Sequence, residues 1–335
     1  MKKIVTSLLS CSLFFLTASS QNASGYHVTK TFRIASGGGW DYVAVNDDKL
    51  YVSHGTQVNI LNKDNGDSIG VITNTQGVHG IAFIKKLNKG YTSNGRTNNV
   101  TVFDLKTQKS SGRIATGENP DAIMYDDFSK KIYTCNGRSK DMSVIDPATG
   151  KVVETVALGG KPETAVSDDE GNLYINIEDK NEIAEVNTGT FKIVKRWSIA
   201  PAEGPTGLAY DKKTKRLFAG CDKLLVISDA SAGKVISKLA IGDGCDGVVF
   251  DPATKNIFTS NGEGTITVVH ENSANDYKIL QNAVTKRGAR TIALDEETHL
   301  LYLPTAEFKP LAKNAPENER PQMIPGTFQV LVVEK

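Results

Sequence analysis

The stretch that decides the fold is YTCNGRSKDMSVIDPATGK, residues 133–151, in which an Asn-Gly pair separates two short β-rich runs. Near-copies of it are YTSNGRTNNVTVFDLKTQK at 91–109 and FTSNGEGTITVVHENSAND at 258–276. Short runs rich in Val, Ile, Thr and aromatic residues, bounded by Gly, Asn and Asp, predict strands joined by turns. The repetition therefore predicts several copies of one β-unit.

The repeat extends over most of the chain with a period of 40 to 44 residues. An aromatic residue marks the second strand of each unit: Tyr51, Tyr91, Tyr133, Tyr174, Phe218, Phe258 and Tyr302. One apolar run precedes each aromatic residue and two follow it, as in AIMY (122–125), MSVID (142–146) and KVVETVAL (151–158). Four short strands per unit of this length are typical of a β-propeller blade. We expect an all-β, seven-bladed β-propeller with four-stranded antiparallel blades.

The last unit lacks a fourth strand after TFQVLVVEK (327–335). The segment HVTKTFRIASGG (27–38) matches the fourth strands KVVETVALGG (151–160) and KVISKLAIG (234–242). We therefore expect the N-terminal strand to complete the last blade, which removes an exposed sheet edge. Residues 21–335 are expected to form this single domain.

The first 20 residues predict a secretory signal peptide. Lys2 and Lys3 precede an apolar run (4–16) and a stretch of small residues (18–20), which is the usual order of such a segment. We expect cleavage after Ser20, a periplasmic or secreted location, and no transmembrane span in the mature chain.

Removal of this segment changes the formal net charge from +1 to −1, because it takes away two lysines and no acid. Nucleic-acid binders usually carry a basic excess or stripe, and neither is visible. We do not expect nucleic acid as a partner, and we expect a monomer. The chain has no CxxC pair, so a c-type haem attachment is not supported.

The repeats resemble those of a known family. YTSN, YTCN and FTSN, each followed by an apolar strand, and the segment from ENPDAIMYDD to YTCNGRSKDMSVIDPATGKVV (118–153), are similar to the YVTN-repeat β-propellers, the YncE-like proteins. SNGEGTITVVHE (260–271), RGARTIALD (287–295) and IPGTFQVLVVE (324–334) resemble one bacterial subgroup. The resemblance covers essentially the whole mature chain. It implies an exported propeller and supplies no set of catalytic residues.

Strand parity places the polar candidates on one face. If the strands of a blade are labelled a to d from the axis outward, every b–c hairpin and every d–a link lies on the same face, here called the top face. The residues at the start of each strand a form an inner ring: Asp41, His79, Asp121, Glu163, Thr206, Asp246 and Arg290. Further candidates on this face are Trp40, Asn94, Asn136, Asn176, Glu178 and Asn261. We expect this funnel to bind a small ligand, a peptide or a partner protein, since convergent polar groups in a concavity favour a site.

Structural explanations compete with a binding role for these residues. Asn-Gly is a hairpin-turn signal in its own right, and a carboxylate at the start of a strand can accept hydrogen bonds from the neighbouring link. We favour the turn explanation for Asn136-Gly137 and its copies, whereas the hydrogen-bond explanation accounts for any single carboxylate about as well as a binding site does.

Several chemistries stay open for the funnel. Asp41, Asp121, Glu163 and Asp246 are candidate ligands for calcium or magnesium. A metal-dependent hydrolase of the lactonase type would use them with His79 as general base. A redox-associated subunit is a third alternative. Single-stranded nucleic acid is a fourth, through Arg96, Arg138, Arg290 and Trp40.

The mature chain keeps Cys135, Cys221 and Cys245. Cys221 ends strand b of blade five and Cys245 lies in the link into blade six, both on the top face. We expect a disulfide between these two, with Cys135 as a free thiol. Three unpaired thiols, or a soft-metal site with His79, are the alternatives.

One connection breaks the pattern. Residues 305–326 join the second and third strands of blade seven and hold four of the chain's eleven prolines, so we expect an extended, stiff loop on the top face. It is either a lid or contact arm, with Phe308 and Met323 as its apolar contacts, or a tolerated surface insertion.

Overall fold

The computed structural model describes residues 25–310 and 321–335, so the expected signal peptide lies outside the described part of the chain. Within those residues, 28 strands form seven four-stranded antiparallel sheets. Two short 3-10 turns occur at Lys85–Leu87 and Glu178–Lys180. No helix in this part of the chain is long and apolar enough to cross a membrane. The prediction of a seven-bladed propeller is confirmed.

Blades one to six each use four consecutive strands. Blade one contains β2 (Trp40–Asn46), β3 (Lys49–His54), β4 (Gln57–Asn62) and β5 (Ser68–Thr73). Blade two contains β6 (Val78–Ile84), β7 (Lys89–Asn94), β8 (Asn99–Asp104) and β9 (Ser110–Ala115). Blade three contains β10 (Pro120–Asp126), β11 (Lys131–Asn136), β12 (Asp141–Asp146) and β13 (Lys151–Ala157). Blade four contains β14 (Pro162–Ser167), β15 (Asn172–Ile177), β16 (Glu182–Asn187) and β17 (Lys192–Ser198). Blade five contains β18 (Leu208–Asp211), β19 (Arg216–Cys221), β20 (Leu224–Asp229) and β21 (Lys234–Ala240). Blade six contains β22 (Cys245–Asp251), β23 (Asn256–Asn261), β24 (Thr265–Ser273) and β25 (Asp276–Val284).

Blade seven is built from both ends of the described chain. It contains β26 (Ala293–Leu294), β27 (Leu301–Thr305), β28 (Gln329–Glu334) and β1 (His27–Arg33). The sheet order is β1-β28-β27-β26, with Phe32 opposite Val330. The N-terminal strand is thus the outermost strand of the last blade, as predicted.

The hydrophobic core lies between the blades. The described residues form seven buried apolar clusters, and each cluster is shared by two neighbouring blades around the ring. The repeat aromatics anchor these clusters, as with Tyr133 between blades three and four and Tyr302 between blades seven and one. A single blade therefore buries its faces only against its neighbours.

Backbone hydrogen bonds confirm that b–c hairpins and d–a links share a face. The N–H of Gly95 in the β7–β8 hairpin donates to the carbonyl of Gly77 in the link between β5 and β6, at 2.8 Å. The N–H of Gly137 donates in the same way to the carbonyl of Asn119, at 2.9 Å. Each hairpin is thus attached to the link that leads into its own blade.

The Asn-Gly pairs form these hairpins in a different way from the expected two-residue turn. Their glycines do not have a positive φ; the left-handed positions lie later, at Asn98 (φ 51°) and Lys140 (φ 57°). The Asn136 amide instead reaches the next strand, where it donates to Ser143 Oγ at 2.8 Å. The repeated Asn therefore joins strands b and c through its side chain.

Candidate functional site

The inner ring sits on a repeated irregularity of strand a. The a–b pairing has a register shift within β2, β6, β10, β14 and β22, at the start of each strand. The residues in these bulges are Asp41, His79, Asp121, Glu163 and Asp246. A β-bulge bends the strand and re-aims a side chain. The bulges thus turn five ionisable side chains toward the channel mouth.

Hydroxyl groups from neighbouring blades fix the backbone of the ring. Thr291 Oγ1 donates to the carbonyl of Asp41 at 2.6 Å, between blades seven and one. Ser53 and Ser93 donate in the same way to the carbonyls of His79 and Asp121, respectively. The ring side chains therefore project from a backbone that is tied across blade boundaries.

His79 lies between two carboxylates from the blades on either side. Its Nδ1 is 2.5 Å from Asp41 Oδ2 and 3.9 Å from Asp121 Oδ1. One ligand-type atom from each of the three residues lies within 4.8 Å of the other two. The other ring nitrogen, Nε2, faces the hairpin glycine Gly95, where a Cβ would come within 2.7 Å. Gly95 therefore leaves the space that the imidazole occupies.

Arg290 and Lys161 each bridge two carboxylates, and one of the two that Arg290 bridges is again Asp41. Arg290 Nε lies 2.6 Å from Asp246 Oδ2, and its Nη2 lies 3.5 Å from Asp41 Oδ1. Lys161 Nζ lies 2.7 Å from Glu163 Oε1 and also contacts Glu178. The order along the mouth is thus Glu178, Lys161, Glu163, Asp121, His79, Asp41, Arg290 and Asp246. This set is called the funnel cluster below.

Burial and charge shift the pKa values of these groups. Burial opposes protonation of His79, but the hydrogen bond to Asp41 and the charge of Asp121 raise its pKa to about 9. Burial raises the pKa of Asp121 to about 6, against the effect of His79. Burial, followed by the charge of Asp121, raises the pKa of Glu163 to about 8 despite Lys161. His79 is therefore protonated near neutral pH, the opposite of what the predicted general base requires.

Two members of the site were not foreseen from the sequence. Lys161 lies just before strand a of blade four, and its position two residues before Glu163 was the one sequence feature that could have pointed to it.

The second member is Tyr42. It extends from blade one and packs against the apolar cluster of blades three and four, which places its ring across the channel. Burial, and then the nearby carboxylates led by Asp121, raise the pKa of its hydroxyl. The equivalent positions in the next two blades hold the small residues Gly80 and Ala122. A large aromatic residue at this position of blade one was therefore the sequence feature that could have pointed to Tyr42.

The four predicted asparagines do not line the funnel. Asn94, Asn136, Asn176 and Asn261 are fully buried. The Asn94 amide lies 2.8 Å from Thr101 Oγ1, and the Asn261 amide donates to Thr267 Oγ1 at 3.1 Å. Asn176 Nδ2 donates to the carbonyl of Gly207 in the next blade, at 3.0 Å. Asn94 and Asn261 thus join strands b and c within their own blades, and Asn176 joins blade four to blade five.

Of the four candidate metal ligands, only Asp41 and Asp121 lie beside the imidazole of His79. Glu163 and Asp246 are paired instead with Lys161 and Arg290. The expected calcium or magnesium site built from all four carboxylates is therefore not assembled.

Trp40 lies beside the funnel cluster and contacts the long loop of blade seven. Its ring centroid is 5.9 Å from that of Phe308 and 5.5 Å from that of Phe328. Phe308 is opposite Met323 in an antiparallel bridge, so the described parts of the loop form an extended pair that starts on the top face. The predicted apolar residues thus pair with each other, and Phe308 also contacts Trp40.

The predicted disulfide is absent: Cys135, Cys221 and Cys245 are buried free thiols. The Cys221 Sγ contacts the carbonyl of Ala219, and the Cys245 Sγ contacts that of Gly247, both at 3.6 Å. The Cys245 sulfur fills the space beside Gly220, where a Cβ would come within 2.6 Å. The two cysteines are on neighbouring blades, but their sulfurs point to different partners.

A separate cavity of about 590 Å³ opens at the other end of the channel. Its lining is mainly apolar and comes from the inner strands of blades one to three, including Phe83, Met124 and Tyr125. This cavity and the ionisable cluster are thus on opposite faces. The cluster is the candidate functional site, because specific recognition depends on placed polar groups.

Comparison with known proteins identifies the fold. No protein-family model matches the chain, and neither does any curated protein. The structure is similar to Kuenenia stuttgartiensis hydrazine synthase, with a TM-score of 0.70 and 15% identity over 79% of this chain and 92% of that chain. It is also similar to a chain in the crystal structure of a mitotic checkpoint complex, with a TM-score of 0.72 and 12% identity over 90% of this chain and 96% of that chain. At these identities the likeness shows the β-propeller fold.

Proposed function

We propose that this chain is an exported, YncE-like propeller that binds a positively charged ligand in its funnel. The observation that supports it best is the convergence of five carboxylates on three cationic side chains at one channel mouth. Near neutral pH Glu163 is protonated, because burial raises its pKa to about 8, so four ionised carboxylates face three cations and the mouth keeps one negative charge. Such a mouth attracts cations and repels anions.

The composition of the funnel cluster supports binding in preference to acid–base catalysis. Each of its three cationic side chains already contacts two carboxylates, so none is free to neutralise an anionic substrate. A cationic ligand, in contrast, would meet carboxylate oxygens that still have unused lone pairs. Charge-assisted hydrogen bonds of this kind are stronger than neutral ones.

Binding is tested with spermidine as the probe, by isothermal titration calorimetry at low salt. Asp246→Asn removes one funnel carboxylate and is expected to weaken binding about tenfold, or ~1.4 kcal/mol. Glu263→Gln is the matched control, because Glu263 is an exposed carboxylate on the same face outside the cluster. Equal weakening by both variants would mean that general surface charge attracts the probe, and the proposal would fail.

Membership of the YncE-like group and export rest on the repeat motifs and on the N-terminal segment. Expression of the full chain in a bacterium, followed by fractionation and N-terminal sequencing, tests export. The expected product is an extracytoplasmic protein that begins at Gln21. An uncleaved cytoplasmic product would refute that part of the proposal.

A further inference from the structure

We infer that Asp41, His79 and Asp121 form a binding site for one divalent metal ion of the borderline class, such as Zn²⁺. The inference rests on the proposed binding role of the funnel and names a specific ion site within it. The three residues come from three consecutive blades, numbers one, two and three, and each lies in the bulge of its strand a. The fold thus supplies one nitrogen and two carboxylate ligands from three separate strands.

The distances fit a metal ion in place of the proton between His79 Nδ1 and Asp41, which is released to solvent when the ion binds. Bonds of about 2.0–2.2 Å hold neighbouring ligand atoms roughly 3 Å apart. The two observed separations from His79 Nδ1, 2.5 Å to Asp41 and 3.9 Å to Asp121, lie on either side of that value. Small side-chain rotations would therefore equalise them, without movement of the tied backbone.

The orientation of the imidazole favours ligation by Nδ1. Nε2 faces the Gly95 hairpin, so Nδ1 faces the carboxylates. The side chains remain accessible from the channel, with 26% of His79, 15% of Asp41 and 17% of Asp121 exposed. An ion can therefore reach the site, and solvent can complete its coordination.

The ligand set selects the class of metal. Calcium and magnesium prefer sites made entirely of oxygen atoms, whereas imidazole nitrogen suits zinc and other divalent transition metals. One nitrogen with two carboxylates therefore favours Zn²⁺ over calcium or magnesium, the candidate ions of the sequence analysis.

The test is isothermal titration calorimetry of the protein, purified without chelator and then stripped with EDTA, using ZnCl2, MnCl2 and CaCl2 as probes. We expect one Zn²⁺ per chain and weaker binding of Mn²⁺ and Ca²⁺. His79→Gln should weaken Zn²⁺ binding at least about 100-fold, since loss of an outer partner of a metal ligand alone costs about 10–100-fold. His299→Gln is the matched control, because His299 Nδ1 lies 3.0 Å from Asp251 in another His–Asp pair outside the funnel cluster.

The sign of the His79→Gln effect separates ligation from simple attraction of cations. If the funnel only attracts cations through its carboxylates, His79→Gln leaves all of them in place and does not weaken Zn²⁺ binding. Unchanged or tighter binding by a folded His79→Gln protein, as judged by circular dichroism, would overturn the inference. So would equal affinity for Ca²⁺ and Zn²⁺.

Asp121→Asn provides a second variant that keeps the shape of the side chain. It is expected to weaken Zn²⁺ binding as well, and retained affinity would remove Asp121 from the site. Spermidine binding that persists while the metal test fails would refute the metal site alone. Loss of the spermidine response with intact Zn²⁺ binding would refute the broader proposal for cationic ligands.

Discussion

Gly95 and His79 are fitted to each other: the imidazole Nε2 lies where a Cβ on Gly95 would approach within 2.7 Å. The contact joins the β7–β8 hairpin to the inner ring of the same blade. Because the φ of Gly95 is not positive, its backbone conformation does not require glycine. Glycine is required here because a side chain would collide with the imidazole.

Gly95→Ala is therefore expected to displace the imidazole and to destabilise the protein by about 1–3 kcal/mol, the usual cost of overpacking. Gly137→Ala is the matched control, because Gly137 has the same hairpin position in blade three and its nearest neighbour would lie 3.4 Å from the new Cβ. Urea denaturation of both variants measures the difference. Equal losses of stability would contradict the spatial role of Gly95.

The buried carboxyl of Glu163 predicts a pH dependence of stability. Its pKa is about 8 in the folded protein and 4.5 ordinarily, so the folded state binds the proton more tightly. Its contribution to stability is complete below about pH 4.5 and is lost as the pH rises through about 8. Glu163→Gln should flatten the fall in melting temperature between pH 4.5 and 8.5. An unchanged slope would show that other groups cause the fall.

The N-terminal strand is expected to support the whole ring. Tyr26, Phe32 and Ile34 are buried against blades six, seven and one. Deletion of residues 26–34 should lower the melting temperature strongly, and Phe32→Ala alone should cost about 3–5 kcal/mol. Lys30→Ala, at an exposed position of the same strand, is the control. A truncated protein with an unchanged melting temperature would disprove the role of β1 in ring closure.

The three described cysteines are expected to be unreactive in the native protein. All are buried, and burial raises the pKa of Cys135 and the pKa of Cys245, and raises that of Cys221 to about 12. Thiol titration of the protein cleaved before Gln21 should detect almost no thiols when folded and three when unfolded. Only one thiol in denaturant without reductant would instead indicate a disulfide.

The number of blades and the location of the inner ring could be predicted because both depend on periodicity. The spacing of the repeat aromatics gives seven units, and the alternation of strand direction gives the face on which Asp41 or Asp246 lies. Neither observation depends on the orientation of a side chain. The prediction of seven blades is confirmed, and the structure places Asp41, His79 and Asp121 close together.

Predictions that depended on side-chain direction failed. Asn136 is on the expected face but turns into its own blade, where it bonds to Ser143. Cys221 and Cys245 are on adjacent blades, yet the Cys245 sulfur occupies the space left by Gly220. Tyr42 was missed because a strand pattern does not show which residue crosses the axis. Packing across blades determines these directions, and a single sequence does not display it.

The position of Tyr42 gives the funnel a floor. Its ring lies between the funnel carboxylates and the apolar cluster of blades three and four. The two ends of the channel are therefore unlike, with ionisable groups at one end and a mainly apolar lining at the other. Tyr42→Gly, which introduces the residue found at the equivalent position in the neighbouring blade, Gly80, is expected to widen the channel between them.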